Sequence, residues 1–345
     1  MKRVSTTSHG AAVTLDDVAR VSGVSAASVS RALNGNKGVS DDVRQRIIHV
    51  AESLGYRANR AARNLAGGRA SAIGLVMPSD ELSRDPYGAS LVQAVANATA
   101  RHHEALMLLL ARDEPGWSVI DAIRTGLIDG VIVSAIAIGT HWVDEILDAG
   151  VPTVLFGDHP ERSRVHTVAV ENREPIATIV ERLAAVGATR IAYVSGRPDR
   201  QDSSERLEGF RLGHERLGRA VAEDLIVDGE FTRVAGHRAA AMLLERRPDA
   251  IVAANDESAL GVLDALAEAG LSSPGDVIVT GFDGTANLRP EDPPITTVMQ
   301  PFEEMSELAV GSLRSILAGE EVPIRQVVRP VVRFADMSPQ PGSAR

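Results

Sequence analysis

An all-α head joined to an α/β body of two lobes is the fold class this sequence predicts, and three observations predict it. Residues 14–34, TLDDVARVSGVSAASVSRALN, read as two short helices joined at a glycine turn. From Ile73 onward, apolar runs rich in β-branched residues alternate with amphipathic helical stretches. Around Asp158 to Glu174 that alternation is interrupted by polar, proline-bearing sequence and then restarts, which divides the body into two similar lobes with a cleft between them.

Each element has a local cause. Thr14 is placed to cap a first helix, with Asp17 three residues on completing a capping-box pattern, and Leu15, Val18 and Ala19 give the helix its apolar face. Gly23 supplies the left-handed backbone of a sharp turn, and Val24 fills the angle between the helices. Ser25 caps a second helix that turns Val29, Ala32 and Leu33 inward and leaves Ala26, Ala27, Ser28 and Arg31 outward or near its N-terminus, where a recognition helix meets base edges. Ser40 is expected to cap a third helix carrying Val43, Ile47, Ile48, Ala51 and Leu54 at helical spacing, ended by Gly55. Asp16-Asp17 and Asp41-Asp42 stand at helix starts, where negative charge suits the macrodipole. A basic stretch then closes in a Gly-Gly-Arg-Ala-Ser linker. Asn59 there can cap a brief helix that orders on a partner, and Leu65 beside Arg60 and Arg63 suits a minor-groove wedge.

In the body the strands are IGLVM, ALMLLL, GVIVS, PTVLF, RIAYVS, AIVAA and VIVTGF. Continuous β-branched runs of this kind indicate parallel sheets covered by helices on both faces. Ligands of such sheets bind beyond the carboxyl ends of the strands. Three junctions there carry polar groups: Arg206, read as beginning a helix after RIAYVS; Asn255-Asp256 after AIVAA; and Asp283 after VIVTGF. A guanidinium fork, an amide and a carboxylate facing one cleft suit the vicinal hydroxyls of a sugar or polyol.

Charge agrees once the chain is divided. The 345 residues carry a formal net charge of -10, yet residues 1–69 hold 11 Lys and Arg against 5 Asp and Glu, leaving 25 against 41 for the remainder. A basic head on an acidic body is drawn to phosphate head-first, with affinity that falls as salt rises. There are no cysteines, which removes disulfides, thiolate nucleophiles and thiolate metal sites and is consistent with a cytoplasmic location. MKRVSTTSHG lacks the apolar run of a secretory signal, and no stretch is long enough and charge-free enough to span a bilayer, so no membrane partner is expected. Neither GxGxxG after the first strand, a P-loop, GxSxG nor HExxH is present, and His102-His103 lacks a visible third ligand; no enzyme activity, metal or cofactor is expected.

From VTLDDVARVSGVSAASVSRALNG and VSDDVRQRIIHVAESLGYRANRAARNLAGG through RLEGF, AANDESALG, VIVTGFDG and PPITTVMQP, the chain resembles the lactose-repressor and galactose-repressor family of bacterial transcription regulators (LacI/GalR). The resemblance implies a homodimeric repressor whose paired heads bind a pseudo-palindromic, double-stranded operator. It also implies a body like periplasmic sugar-binding proteins that closes on a small effector. Ala26 and Ala27 match the pair that chiefly selects the operator, Arg31 a further base contact and Leu65 the wedging leucine. The DNA-contacting set is then Thr14, Ser25, Ala26, Ala27, Ser28, Ser30, Arg31, Asn34, Asn59, Arg60, Arg63 and Leu65. Arg206, Asn255 and Asp283 match effector-binding positions, with Tyr87 and Asp158 at weaker matches. Two departures stand out: Ala58 replaces a common proline before the hinge asparagine, and Gly157 stands where an aspartate is frequent, one residue before Asp158. The tail has no leucine heptads and gives no basis for a tetramer.

The expected organisation is a head over 1–57, a hinge helix and linker over 58–70, and a body over 71–345. Its lobes comprise about 71–166 with 301–328, and 167–300 with 329–345. A solute-binding protein shares the body but has no use for the head. A sugar-acting α/β enzyme requires a catalytic group that the sequence does not display.

Overall fold

The computed structural model describes residues 13–33, 37–56, 70–79, 86–111, 119–124, 126–134, 137–159, 162–286 and 294–335. The chain divides into two compact units, residues 1–70 and 71–345.

The head is three helices, α1 (Leu15–Ser22), α2 (Ala26–Leu33) and α3 (Asp41–Ser53). They close over a core of Val18, Ala19, Val29, Ala32, Ile47 and Ala51. Gly23 ends α1 with φ at +69°, the left-handed turn expected of it. Two details differ from expectation. Ser40 occupies the N-cap position of α3, but its side chain makes no cap hydrogen bond. Val50, not Ile48, joins Val43 and Leu54 against the core. The Arg44 guanidinium on α3 reaches back to the Ala32 carbonyl at 2.7 Å, placing positive charge at the C-terminal end of α2.

The body holds two six-stranded sheets. The first is built from β1 (Ala72–Pro78), β2 (Ala105–Ala111), β3 (Gly130–Val133), β4 (Thr153–Phe156), β5 (His166–Val170) and β11 (Arg325–Val328), in the order β2-β1-β3-β4-β5-β11, all parallel. The second comprises β6 (Ile191–Ser195), β7 (Ile226–Asp228), β8 (Ala250–Ala253), β9 (Ile278–Asp283), β10 (Thr296–Met299) and β12 (Val331–Arg333). Its order is β7-β6-β8-β9-β10-β12, parallel except for the last pair. Helices α4 (Pro86–Arg101), α5 (Val119–Arg124), α6 (His141–Asp148) and α11 (Phe302–Ala318) belong to the first lobe. Helices α7 (Arg173–Ala185), α8 (Gln201–Arg216), α9 (Arg233–Leu244) and α10 (Asp256–Glu268) belong to the second.

All seven strands read from the sequence are present, and the lobe boundary moves. Residues 166–170, HTVAV, form β5 of the first sheet, so the chain leaves that lobe after Val170 rather than at 166. The cause is that β5 pairs with β4 and β11 along its length and is buried from Thr167 onward; the polar residues around it obscure a core strand. The chain crosses between lobes three times: after β5, after β10 and between β11 and β12.

Helix pairs of the second lobe approach backbone to backbone. A Cβ at Gly261 of α10 would run into the Arg233 carbonyl of α9, and one at Gly236 of α9 into the Ser258 carbonyl. Gly209 and Gly213 do the same for α8 against Arg173, Ala177 and Val180 of α7. A side chain at any of these four positions would push the paired helices apart.

Candidate functional site

In the head, Thr14 and Asp17 form the expected capping box. Asp17 N–H donates to Thr14 Oγ1 at 3.3 Å, and Thr14 N–H and Oγ1 donate to Asp17 Oδ2 at 3.0 and 2.7 Å. The Thr14 hydroxyl and backbone bonds, with Arg20, hold the Asp17 carboxyl down at about 2. Ser25 caps α2, accepting from Ser28 N–H at 3.2 Å, and its hydroxyl lies 2.9 Å from that of Ser28. Ala27 and Arg31 are exposed one turn apart, and Arg31 Nε donates to the Ala27 carbonyl at 3.2 Å. Ala26 opens α2, at the N-terminal end where it was expected; it is half-buried and packs against the head core. Ser30 is half-buried. Asn34, Asn59, Arg60, Arg63 and Leu65 lie outside the described residues.

In the body, the second lobe gathers its polar groups around Arg206. This residue lies inside α8, on its second turn, rather than beginning the helix. It is 3% exposed, and a guanidinium removed from water to that degree requires partners at every face. Nη1 donates to the Ala254 carbonyl at 2.7 Å, Nε to Asn172 Oδ1 at 3.1 Å, and Nη2 lies 3.5 Å from Asp283 Oδ1. Its plane covers Phe282, with Cζ 3.7 Å from the ring centroid, and lies 5.6 Å from that of Phe231.

The three strand-end residues chosen from sequence therefore share one cluster. Asn255 follows the Ala254 carbonyl that Arg206 grips; it caps α10 by accepting from Ser258 N–H at 3.0 Å and donates to the Phe231 carbonyl at 3.1 Å. Asp283 ends β9 with φ at +108°, a backbone region costly for a non-glycine residue, and accepts from Gln300 Nε2 at 3.0 Å. Glu230 and Phe231 are likewise left-handed, at +52° and +60°, and the turn lays the Phe231 ring against Gly196, where any Cβ would strike it.

Asn172 connects this cluster to a cavity of about 40 Å³, lined by Phe156, Gly157 and Asp158 of the first lobe and by Asn172, Arg200, Gln201, Asp202 and Glu205 of the second, among others; Arg206, Phe231, Asn255 and Asp283 are not among its lining residues. Asp158 borders it, but its carboxylate already accepts from Arg325 Nε and Nη2 and from the Thr167 hydroxyl at 3.1 Å. Tyr87 stacks edge-on with Phe302 at 5.3 Å and is not among the residues lining this cavity. Burial raises the Asp202 carboxyl, but the Arg200 and Arg206 guanidiniums outweigh it and hold the group below its ordinary value, so it stays charged. Asp256, beside Asn255, is fully buried and pushed up to about 6 by desolvation; its oxygens accept from Thr285 and Ala286 N–H and from the Thr297 hydroxyl, tying the loop after Asp283 to α10. At the cleft edge the lobes join through main chain: Ile138 N–H donates to the Asp199 carbonyl at 2.7 Å, beside an antiparallel bridge between Ala137 and Arg200. A wider groove of about 540 Å³ in the first lobe borders Thr153 and His166, at the strand starts rather than the strand ends where ligands of such sheets sit.

Sequence reasoning missed Asn172, Gln300, Glu205 and Phe231. Asn172 lies two residues after β5 and Gln300 directly after β10, so inspecting strand ends finds them once HTVAV and TTVM are recognised as strands. Glu205 adjoins Arg206 in SSERLEGF, and Phe231 follows the short β7. Among the described residues no three His, Asp or Glu side chains form a metal-holding group, and no helix is long and apolar enough to cross a membrane.

Comparison with known proteins gives two family matches, bacterial regulatory proteins of the lacI family over residues 14–59 and a periplasmic binding protein-like domain over 180–335. The regulator AscG of Escherichia coli is 31% identical over 89% of this chain and 92% of its own, and the regulator CelR of Thermobifida fusca is 32% identical over 91% and 95%. Among solved structures, the lac repressor dimer bound to operator and the anti-inducer ONPF aligns at a TM-score of 0.77 with 25% identity, covering 93% of this chain and 97% of that one. A CelR–cellobiose complex aligns at 0.70 with 29% identity, covering 93% and 98%. With a capped helix-turn-helix head, two parallel sheets and these relatives along nearly its whole length, the chain belongs to the lacI family of DNA-binding transcriptional regulators.

Proposed function

We propose that the chain is a cytoplasmic repressor that binds a pseudo-palindromic operator as a homodimer and is controlled by a sugar or sugar derivative in the inter-lobe cleft. The observation that carries the effector reading is the Arg206 cluster, in which a buried guanidinium, the Asn255 amide and the strained Asp283 carboxylate meet at strand ends. Such a set offers donors and acceptors to adjacent hydroxyls, and Phe231 adds an apolar face for a sugar ring. The likeness to a cellobiose-bound regulator supports a sugar, and that to an operator-bound dimer supports the DNA reading. At about 40 Å³ the cavity is far below the roughly 300–1,000 Å³ of small-ligand sites, so a sugar enters as the lobes part.

In the head, Ala27 and part of Ala26 offer apolar contact, as to a thymine methyl, and Arg31 is the main polar reader, favouring guanine. Thr14, Ser25, Ser28, Ser30 and Asn34 contribute backbone-positioning contacts. Asn59, Arg60 and Arg63 serve the hinge, with Leu65 as its wedge. Titrating the full-length protein's operator complex with a sugar panel tests the whole reading: one member should shift operator affinity. Arg31→Ala should flatten base preference at one symmetric pair of operator positions in selections from randomised duplexes. A protein that ignores every sugar, or whose Arg31→Ala variant keeps its full preference, overturns the corresponding part.

A further inference from the structure

Resting on the sugar reading, the charges around the cavity narrow the class of ligand. Among the described residues that line it, three carboxylates, Asp158, Asp202 and Glu205, stand against one guanidinium, Arg200. Each guanidinium at or beside the cavity is engaged. Arg200 holds Asp202 through Nε at 3.2 Å and Nη2 at 2.9 Å; Arg325 holds Asp158 through Nε at 2.9 Å and Nη2 at 2.7 Å; Arg206 is caged by Asn172, Ala254 and Asp283.

Glu205 differs from the other two acids. It is 8% exposed, and its oxygens accept from amides, Asn172 Nδ2 at 2.8 Å and Gln201 Nε2 at 3.3 Å, with no guanidinium bridging it among the described residues. Glu205 therefore stands at the cavity wall with no guanidinium in salt-bridge contact among the described residues, and Arg173 and Arg325 act on it only at longer range. An entering phosphate or carboxylate must pull a guanidinium away from its own acid while standing beside Glu205, and like charges in a poorly solvated site repel strongly. A neutral polyol has no such cost, because its hydroxyls donate to carboxylate lone pairs that remain available when the ion pairs are intact. We infer that the cleft takes uncharged, hydroxyl-rich ligands and rejects their phosphorylated or carboxylated counterparts, with Asp202 and Glu205 enforcing the rejection.

The test pairs each neutral sugar with its phosphate ester, glucose with glucose 6-phosphate and trehalose with trehalose 6-phosphate, together with cellobiose and its oxidised acid, cellobionate. Binding is read on the full-length protein by calorimetry and thermal shift. The neutral member should bind roughly tenfold or more tightly than its anionic partner, and Glu205→Gln should narrow that gap. An anionic member that binds as tightly as its neutral partner overturns the inference. If no sugar of either kind binds, the sugar reading fails, and the charge inference is decided separately with inorganic phosphate against chloride at equal ionic strength. Relative to chloride, phosphate should raise the melting temperature of an Asp202→Asn, Glu205→Gln double variant by more than it raises that of the unmodified protein, the general stabilisation by phosphate and any binding at the basic head being common to both. Equal shifts in the two proteins, with the double variant folded by circular dichroism, overturn the inference.

Discussion

The two lobes of the body share a strand order and differ in chemistry. Each sheet places its second strand outside its first and continues through the third, fourth and fifth, with a closing strand contributed after the return crossover. Yet among the described residues the second lobe supplies Asn172, Arg200, Asp202 and Glu205 to the cavity and Arg206, Phe231, Asn255 and Asp283 to the cluster joined to it through Asn172, whereas the first supplies Asp158 as its charged group at the cavity. The left-handed residues Glu230, Phe231 and Asp283 lie in the second lobe as well, and so do the glycine-tight helix pairs. One architecture thus serves as a chemically loaded half and a largely plain half. What a sheet can bind is decided by the loops at its strand ends and not by its topology.

The sharpest way to break that comparison is at Arg206. Arg206→Ala leaves Asp283, Asn172 and the Ala254 carbonyl without their buried partner, and effector response should weaken by at least ~3 kcal/mol while operator affinity is unchanged. Effector titration of the variant's operator complex checks it; an unmoved midpoint removes Arg206 from the site.

A second contrast tests the helix packing of each lobe. Gly261→Ala forces α9 and α10 apart and should cost about 2 kcal/mol in a denaturant midpoint, whereas Gly311→Ala on α11, where a Cβ meets nothing within 4 Å, should be neutral or stabilise by up to about 1 kcal/mol through helix propensity. Equal losses at both positions would erase the distinction.

Asp256 gives a pH signature to the second lobe alone. Its folded value of about 6 lies above its ordinary 3.8, so the group favours the folded state when protonated. That contribution is complete below about pH 4 and is lost as pH rises through about 6, a change on the order of 2 kcal/mol. Urea unfolding from pH 4 to 7.5 should show the decline in the parent protein relative to Asp256→Asn, and parallel curves for the two would exclude it.

The smallest effect is expected in the first lobe. Asp158→Asn breaks an ion pair with the half-exposed Arg325 and should cost under about 1 kcal/mol, with neutral-ligand affinity little altered. A loss equal to that of Arg206→Ala would make the lobes chemical equals.

What was legible in the sequence follows the range of the interactions. The head was readable because its determinants are local: the Thr14–Asp17 box lies within one turn, and Gly23 needs only its own backbone freedom. Ser40 shows the limit, since a capping residue at the right place need not direct its oxygen to an N–H. Six of the seven runs were readable because both of their faces are buried, and the seventh, the edge strand β2, because its leucines form an unbroken apolar run. HTVAV, TTVM and the short edge strands β11 and β12 were not, because threonine, histidine, glutamine or arginine within them breaks the apolar signal while distant partners supply their pairing, and β7 is only three residues long. Missing β5 and β10 concealed Asn172 and Gln300. No local pattern announces that a strained turn after β7 presents Phe231 to Arg206.

The main-chain join between Ile138 and Asp199 has a consequence for how such a protein changes over generations. Its donor and acceptor are peptide groups, and every residue except proline supplies the same N–H and C=O at those positions. Substitutions that recast the cavity wall, at Asp202 or Glu205, leave those peptide groups in place. Descendants of one ancestral chain can therefore exchange one ligand for another while inheriting the same closing contact, so ligand preference is free to diverge faster than the mechanics that report it.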